Sequence, residues 1–98
     1  MRFAYKKFDT PQGLMIAVCD AEILGKRLQH GNLEIEISED FYFERFCSTE
    51  EIVELLKKAK IVNLFGNKIM EVVIKINLAN KEDFKIIDNI PHIQIYKL

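Results

Sequence analysis

The sequence predicts an α+β domain: a compact two-layer α/β sandwich, with a mostly antiparallel sheet and two helices packed on one face. Apolar residues alternate with period two in the first half of the chain and again near its end, whereas between Ser48 and Asn77 they recur at helical spacing. Strands gathered first, then helices, then strand, favour helices collected on one side of an antiparallel sheet. The 98 residues (1–98) suit a single domain, and 49% hydrophobic residues with only 4 Gly and 2 Pro supply enough apolar burial to offset the entropy of ordering the chain.

Each element has its own signal. Phe3 and Tyr5 alternate with polar neighbours, and Leu14 to Cys19 is apolar on both faces, which predicts a central strand; Asp9 to Gly13 between them is turn chemistry, so the two form a hairpin. From Asp20 to Gly25 a single turn is expected, with Asp20 capping its free amides and glycine closing it. Leu33, Ile35 and Ile37 alternate with Glu34, Glu36 and Ser38, a strand with one core face and one acidic face. Phe41, Tyr42, Phe43 and Phe46 place four aromatics within six residues; extended backbone would send Phe41 and Phe43 to one side and Tyr42 to the other.

Ser48-Thr49-Glu50-Glu51 is a capping box, and Ile52, Leu55, Leu56 and Ala59 make the stripe of an amphipathic helix. A second helix follows Gly66 and Asn67 with Ile69, Val72, Val73 and Ile76 on one side, and Ile61, Val62, Leu64 and Phe65 are expected to link the two as an αα-hairpin. Phe84 to Ile87, a turn through Asp88, Asn89, Ile90 and Pro91, and a last strand in which Ile93 and Ile95 alternate with His92, Gln94 and Tyr96 complete the chain.

Charge and cysteine usage narrow the function classes. The formal net charge is -1, so a polyanion would have to be held by a local patch. Such a patch is available: Leu33 to Glu54 carries eight acidic residues and one basic, whereas Leu55 to Lys81 carries six basic and one acidic. Cys19 and Cys47 lie too far apart for the close-pair spacing of zinc or dithiol sites and read as buried thiols; no metal or other cofactor is expected. The longest apolar run, Leu14 to Cys19, falls short of a membrane span, and charge interrupts the N-terminal residues, so the expected location is cytoplasmic.

Two groups of residues carry chemistry. Cys19, Asp20 and Glu22 stand where the central strand enters a turn; with His92 as a base they would make a small thiol site. His92, Gln94 and Tyr96 share one face of the last strand and suit stacking and hydrogen bonding to unpaired RNA bases, with Lys57, Lys58, Lys60, Lys68 and Lys75 for phosphates. Phe41, Tyr42, Phe43 and Phe46 offer a third surface, core or homodimer contact.

Taken together, Cys19-Asp20-x-Glu22-x-Leu24-Gly25, Phe41-Tyr42, Ala59-x-x-x-Asn63-Leu64-x-Gly66 and Pro91-His92-x-Gln94 resemble, nearly end to end, the small archaeal family known as domain of unknown function 424. The sequence departs from it after Tyr42, where Phe43, Glu44 and Arg45 stand in place of glycine. The resemblance implies a two-layer α/β domain of an archaeal cytosol and a translation-associated, RNA-binding role without an established activity. The expected function is therefore a non-enzymatic RNA- or ribonucleoprotein-binding module; a small enzyme with a Cys19/Asp20/Glu22/His92 pocket and a protein assembly module are the alternatives.

Overall fold

The computed structural model describes residues 1–98. Strand β1 (Arg2–Thr10) turns through Pro11 and Gln12 into β2 (Gly13–Asp20), pairing antiparallel along its length from Phe3 opposite Asp20 to Thr10 opposite Gly13. A 3-10 turn (Ala21–Ile23) leads to a small separate hairpin, β3 (Arg27–His30) and β4 (Leu33–Glu36), and then to one helical turn, α1 (Glu39–Tyr42). Strand β5 (Arg45–Ser48) pairs with the outer edge of β1, helix α2 (Thr49–Lys58) crosses the sheet, and β6 (Ile61–Phe65) pairs parallel to β2. Helix α3 (Asn67–Lys75), a second 3-10 turn (Lys81–Asp83) and the hairpin of β7 (Lys85–Ile87) and β8 (Ile90–Tyr96) complete the chain, with β8 antiparallel to β6. The six-stranded sheet has the order β5-β1-β2-β6-β8-β7, so the fold is α+β with a mixed, mostly antiparallel sheet.

The expected αα-hairpin is not formed. Ile61 to Phe65 is a strand at the centre of the sheet, buried along both faces apart from Asn63. An apolar run of five residues has no period that separates strand from buried helix, and β-branched residues bounded by the extended Ala59 and by Gly66 at φ +126° decide for the strand. A parallel partner for β2 also demands a crossover connection, and β5-α2-β6 supplies it.

Helices α2 and α3 lie on one face, where Phe3, Ile16, Val18, Val62, Leu64 and Ile93 of the sheet meet Ile52, Leu56, Ile69 and Val73. Each such side chain removed from water contributes about 1.5–3 kcal/mol, making this the main reservoir of stability. The other face is covered in part, which goes beyond two layers: Ile23, Leu28, Ile37 and Tyr42 pack over Ala4, Ala17, Cys19 and Phe65. Two expectations change with it. Leu33 and Ile35 were expected in the core with Ile37, but Leu33 is 65% exposed at the hairpin tip and only Ile37, past the end of β4, is fully buried. Phe41 to Phe43 do not alternate as a strand, because α1 turns Tyr42 inward against Phe65 and leaves Phe41 packing on Phe8.

Asp20 joins the two halves. It makes no side-chain hydrogen bond to the turn that follows it, contrary to the capping role read from its position. Its two carboxylate oxygens instead accept from the amides of Lys68 and Ile69, each at 2.9 Å, at the N-terminus of α3. The approach is close enough that a Cβ on Gly66 would overlap the carboxylate. Burial pushes the Asp20 carboxyl above its ordinary range, and the two amide bonds offset only part of that. Asp20→Ala should lower the unfolding free energy by about 2 kcal/mol in chemical denaturation, since it strips two buried amides of their acceptor, whereas Asp20→Asn, which keeps one acceptor oxygen, should cost less; equal losses for the two would contradict the capping role.

Candidate functional site

Strand alternation sorts the chemically able residues between the two faces. Cys19 lies on the face opposite the helices, among Ala17, Phe65 and Tyr42, whereas Asp20, the next residue, points to the helix side. Glu22 is paired with Lys68 at 2.5 Å, a contact with both side chains about half exposed that holds the Glu22 carboxyl below its usual range. His92 shares the face of Cys19, but Cys19 is in register with Phe65 and Phe65 with His92, so the Phe65 strand stands between them and their backbones are roughly 10 Å apart. Cys19 is fully buried, and burial, with the Asp20 and Glu22 charges, pushes its thiol up to about 12. The four residues of the expected thiol pocket thus do not converge.

A different group does converge. Tyr42 comes from α1, Asn63 from β6 and His92 from β8, and the Asn63 side-chain oxygen accepts from the Tyr42 hydroxyl at 2.5 Å and lies 3.2 Å from His92 Nε2. The Phe65 ring packs on His92 with centroids 4.8 Å apart. An amide oxygen only accepts, so this contact requires the proton on His92 Nε2 and leaves Nδ1 as an acceptor when the ring is neutral. Burial, then the nearby Lys85 charge, lowers the His92 pKa and favours that neutral form. Burial likewise keeps the Tyr42 hydroxyl protonated. Asn63 escaped the sequence reading as a functional residue; the available signal was a lone polar side chain inside the apolar run Ile61 to Phe65.

Beside this cluster runs the ribbon expected from the sequence. His92, Gln94 and Tyr96 project from the same face of β8, with the Gln94 amide donating to the Tyr96 hydroxyl at 3.1 Å. Lys85 is in register with His92, and Asp83, Lys85, His92 and Gln94 border a depression of about 250 Å³. At the other end of β8, Lys97 donates to the Leu56 carbonyl at 2.5 Å and its amide bonds to Lys60, which brings Lys60 to the end of the sheet that holds Tyr96, whereas Lys57 and Lys58 belong to α2 on the helix face, Lys57 paired with Glu54 at 3.7 Å. The remaining two lysines lie elsewhere: Lys68, bonded to Glu22, follows the opposite end of β6, and Lys75 is in the last turn of α3 beside Val72 and Ile76. The four aromatics are divided as well, Tyr42 being buried while Phe46 is exposed under the Arg2 guanidinium and beside Phe43. No group of three or more His, Cys, Asp and Glu side chains is placed to hold a metal, and no helix is long and apolar enough to cross a membrane.

Two measurements test this geometry. Because the folded His92 binds protons less readily than an unfolded imidazole near 6.5, the folded state holds fewer protons in the window below that value, so stability should fall as the pH drops through it; His92→Gln should flatten this part of the pH–stability curve. Under native conditions Cys19 should react with iodoacetamide only as fast as the protein unfolds, and faster labelling would reopen a thiol role.

No curated protein matches the chain. A solved structure with the same fold is that of an uncharacterized conserved protein from Methanopyrus kandleri, 24% identical, which aligns over 100% of this chain and 93% of its own with a TM-score of 0.84. The family model described as protein of unknown function (DUF424) matches residues 8–98, so the chain belongs to the DUF424 family.

Proposed function

We propose that the protein is a non-enzymatic binding module for single-stranded RNA or the exposed RNA of a ribonucleoprotein, with a translation-associated role in the cytoplasm of an archaeal cell. The observation that supports this best is the row of His92, Gln94 and Tyr96 on the sheet face opposite the helices, hydrogen-bonded within itself and to Asn63, with Lys85 at one end and Lys60 at the other. Side chains two apart on a strand stand about 6.6 Å from each other, a spacing that splayed bases can follow, and Tyr96, 65% exposed, offers its ring for stacking. The lysines lie at the ends, where a strand of phosphates laid along β8 would pass. Lys57 and Lys58, on α2 across the sheet, and Lys68 and Lys75 are not part of this surface. A thiol enzyme is less well supported, because Cys19 is buried and protonated and Asp20 is occupied by α3.

Fluorescence anisotropy with labelled single-stranded RNA 12-mers at 50 and 200 mM salt tests the proposal. Tyr96→Ala should weaken binding roughly 5- to 150-fold, the range of one lost base stack. Lys60→Ala and Lys85→Ala should each reduce the salt slope by about 1 while affecting all sequences alike. Absence of binding at 50 mM salt, or binding unchanged by both Tyr96→Ala and Gln94→Ala, would overturn it.

A further inference from the structure

The helix-side face carries a second feature, a groove that meets the ribbon only at Lys85. Strand β7 is an outer edge of the sheet, and between it and α3 runs a largely apolar groove of about 380 Å³ formed by Met70, Ile74, Phe84, Ile86 and Pro91, with Asn67, Glu71 and Lys81 also in its lining. Ile86 is 60% and Ile74 41% exposed, so two large aliphatic side chains face water side by side. The backbone beside the groove is also unmet. Ile86 is in register with Pro91, whose carbonyl accepts from the Gly66 amide on the far side of β8. Polar groups of Pro91 therefore point away from β7, Ile86 and Pro91 are a non-hydrogen-bonded pair, and the Ile86 N–H and C=O point outward from the sheet. An apolar groove running along an edge strand with free backbone groups is the arrangement that accepts an added strand.

We infer that this edge is a docking site for an extended segment of a partner protein, which adds to β7 antiparallel and seats one large apolar side chain in the groove between β7 and α3. Cross-strand pairing defines the segment. The residue opposite Ile86 points to the helix side and enters the groove. The residue opposite Lys85 points to the other face, where a carboxylate meets Lys85; on that face Ile87 already packs against the second core beside β3, so the contact is made by Lys85 and Ile86. Because the pairing is antiparallel, the segment reads, from its N-terminal side, a large apolar residue followed directly by an acidic one. A second copy of the chain fits less well: antiparallel pairing of two β7 strands sets Lys85 against Ile87 and lines one short seam with Lys81 and Lys85 of both copies.

A displayed library of random heptapeptides, selected against the full-length protein, tests this, with affinities of enriched peptides then measured by anisotropy. Enriched sequences should converge on a large apolar residue followed directly by an acidic one. Ile86→Pro, which removes the outward amide together with the Ile86 side chain of the groove wall and is tolerated on an edge strand, should weaken them at least tenfold. Ile74→Asn, which changes the groove wall without touching the strand, should do the same and stands alone if the proline variant does not fold. Circular dichroism and the thermal midpoint establish that each variant is folded, and single-stranded RNA binding should be unchanged in both. No enrichment, enrichment insensitive to the folded variants, or a dimer in sedimentation equilibrium that Ile86→Pro dissolves would overturn the proposal.

Discussion

A parallel strand pair cannot be closed by a tight turn, and the pairing of β2 with β6 is the constraint from which the rest of this fold follows. Both strands are apolar on both sides, so both faces of the sheet centre must be covered. The crossover through α2 covers one face as a consequence of making the connection, and α3, starting directly after β6, extends that cover. The second face is left to the chain between β2 and β5, and it is met with small pieces: a 3-10 turn, a two-stranded hairpin and one helical turn. The Asp20 carboxylate, at the end of β2, holds α3 at the end of β6, so that the central pair and its helix are joined by a buried polar contact as well as by packing. That contact also occupies the N-terminal amides of α3, which otherwise would attract an external anion.

The same pair determines where chemistry can occur. Successive residues of a strand face opposite sides, so Cys19 and Asp20 are adjacent in sequence and separated by the sheet in space. Asn63 is the one polar side chain that β6 turns toward the second face, and its oxygen draws Tyr42 and His92 together. Polar groups this deep are tolerated only when partnered, and the pairing has a directional result: it sets which nitrogen of the His92 ring carries the proton. The partial cover of the second face reaches β7, against which β3 packs, and leaves the C-terminal part of β8 open. Tyr42 is consequently buried and Tyr96, on the same face, is open.

Much of this was legible in the sequence because local rules decided it. Ser48 and Glu51 form the expected capping box, Asp88 and Asn89 make the turn between the last two strands with φ of +50° and +66°, and the alternation of His92, Gln94 and Tyr96 puts them on one face. The turn is two residues, shorter than the four read from the sequence, since Ile90 and Pro91 already belong to β8. What remained hidden depended on contacts distant along the chain. Ile61 to Phe65 has the composition of either a strand or a helix linker, and only its parallel partner some 46 positions earlier resolves it. Asp20 was legible as a helix-capping residue but not as the cap of a helix 47 or more positions away. Phe41 and Tyr42 follow acidic residues suited to a helix start, yet their aromatic, strand-like character concealed one turn stabilised by Phe8 and Phe65.

The electrostatics of the ribbon divide labour along its length. The groups at its centre are neutral: an amide, a phenol and an imidazole whose burial, beside Lys85, disfavours the charged form. Cations sit only at the ends, Lys85 next to His92 and Lys60 beside the end that holds Tyr96. A surface of this kind attracts a polyanion through its ends, where solvent and salt screen the attraction, and discriminates through its middle, where hydrogen bonds and ring faces are insensitive to salt. With a net charge of -1, the chain has no overall field to hold nucleic acid indiscriminately. Binding along β8 would therefore owe its selectivity to the Tyr42, Asn63 and His92 contacts that fix the imidazole, and weakening those contacts should blur sequence preference before it reduces affinity.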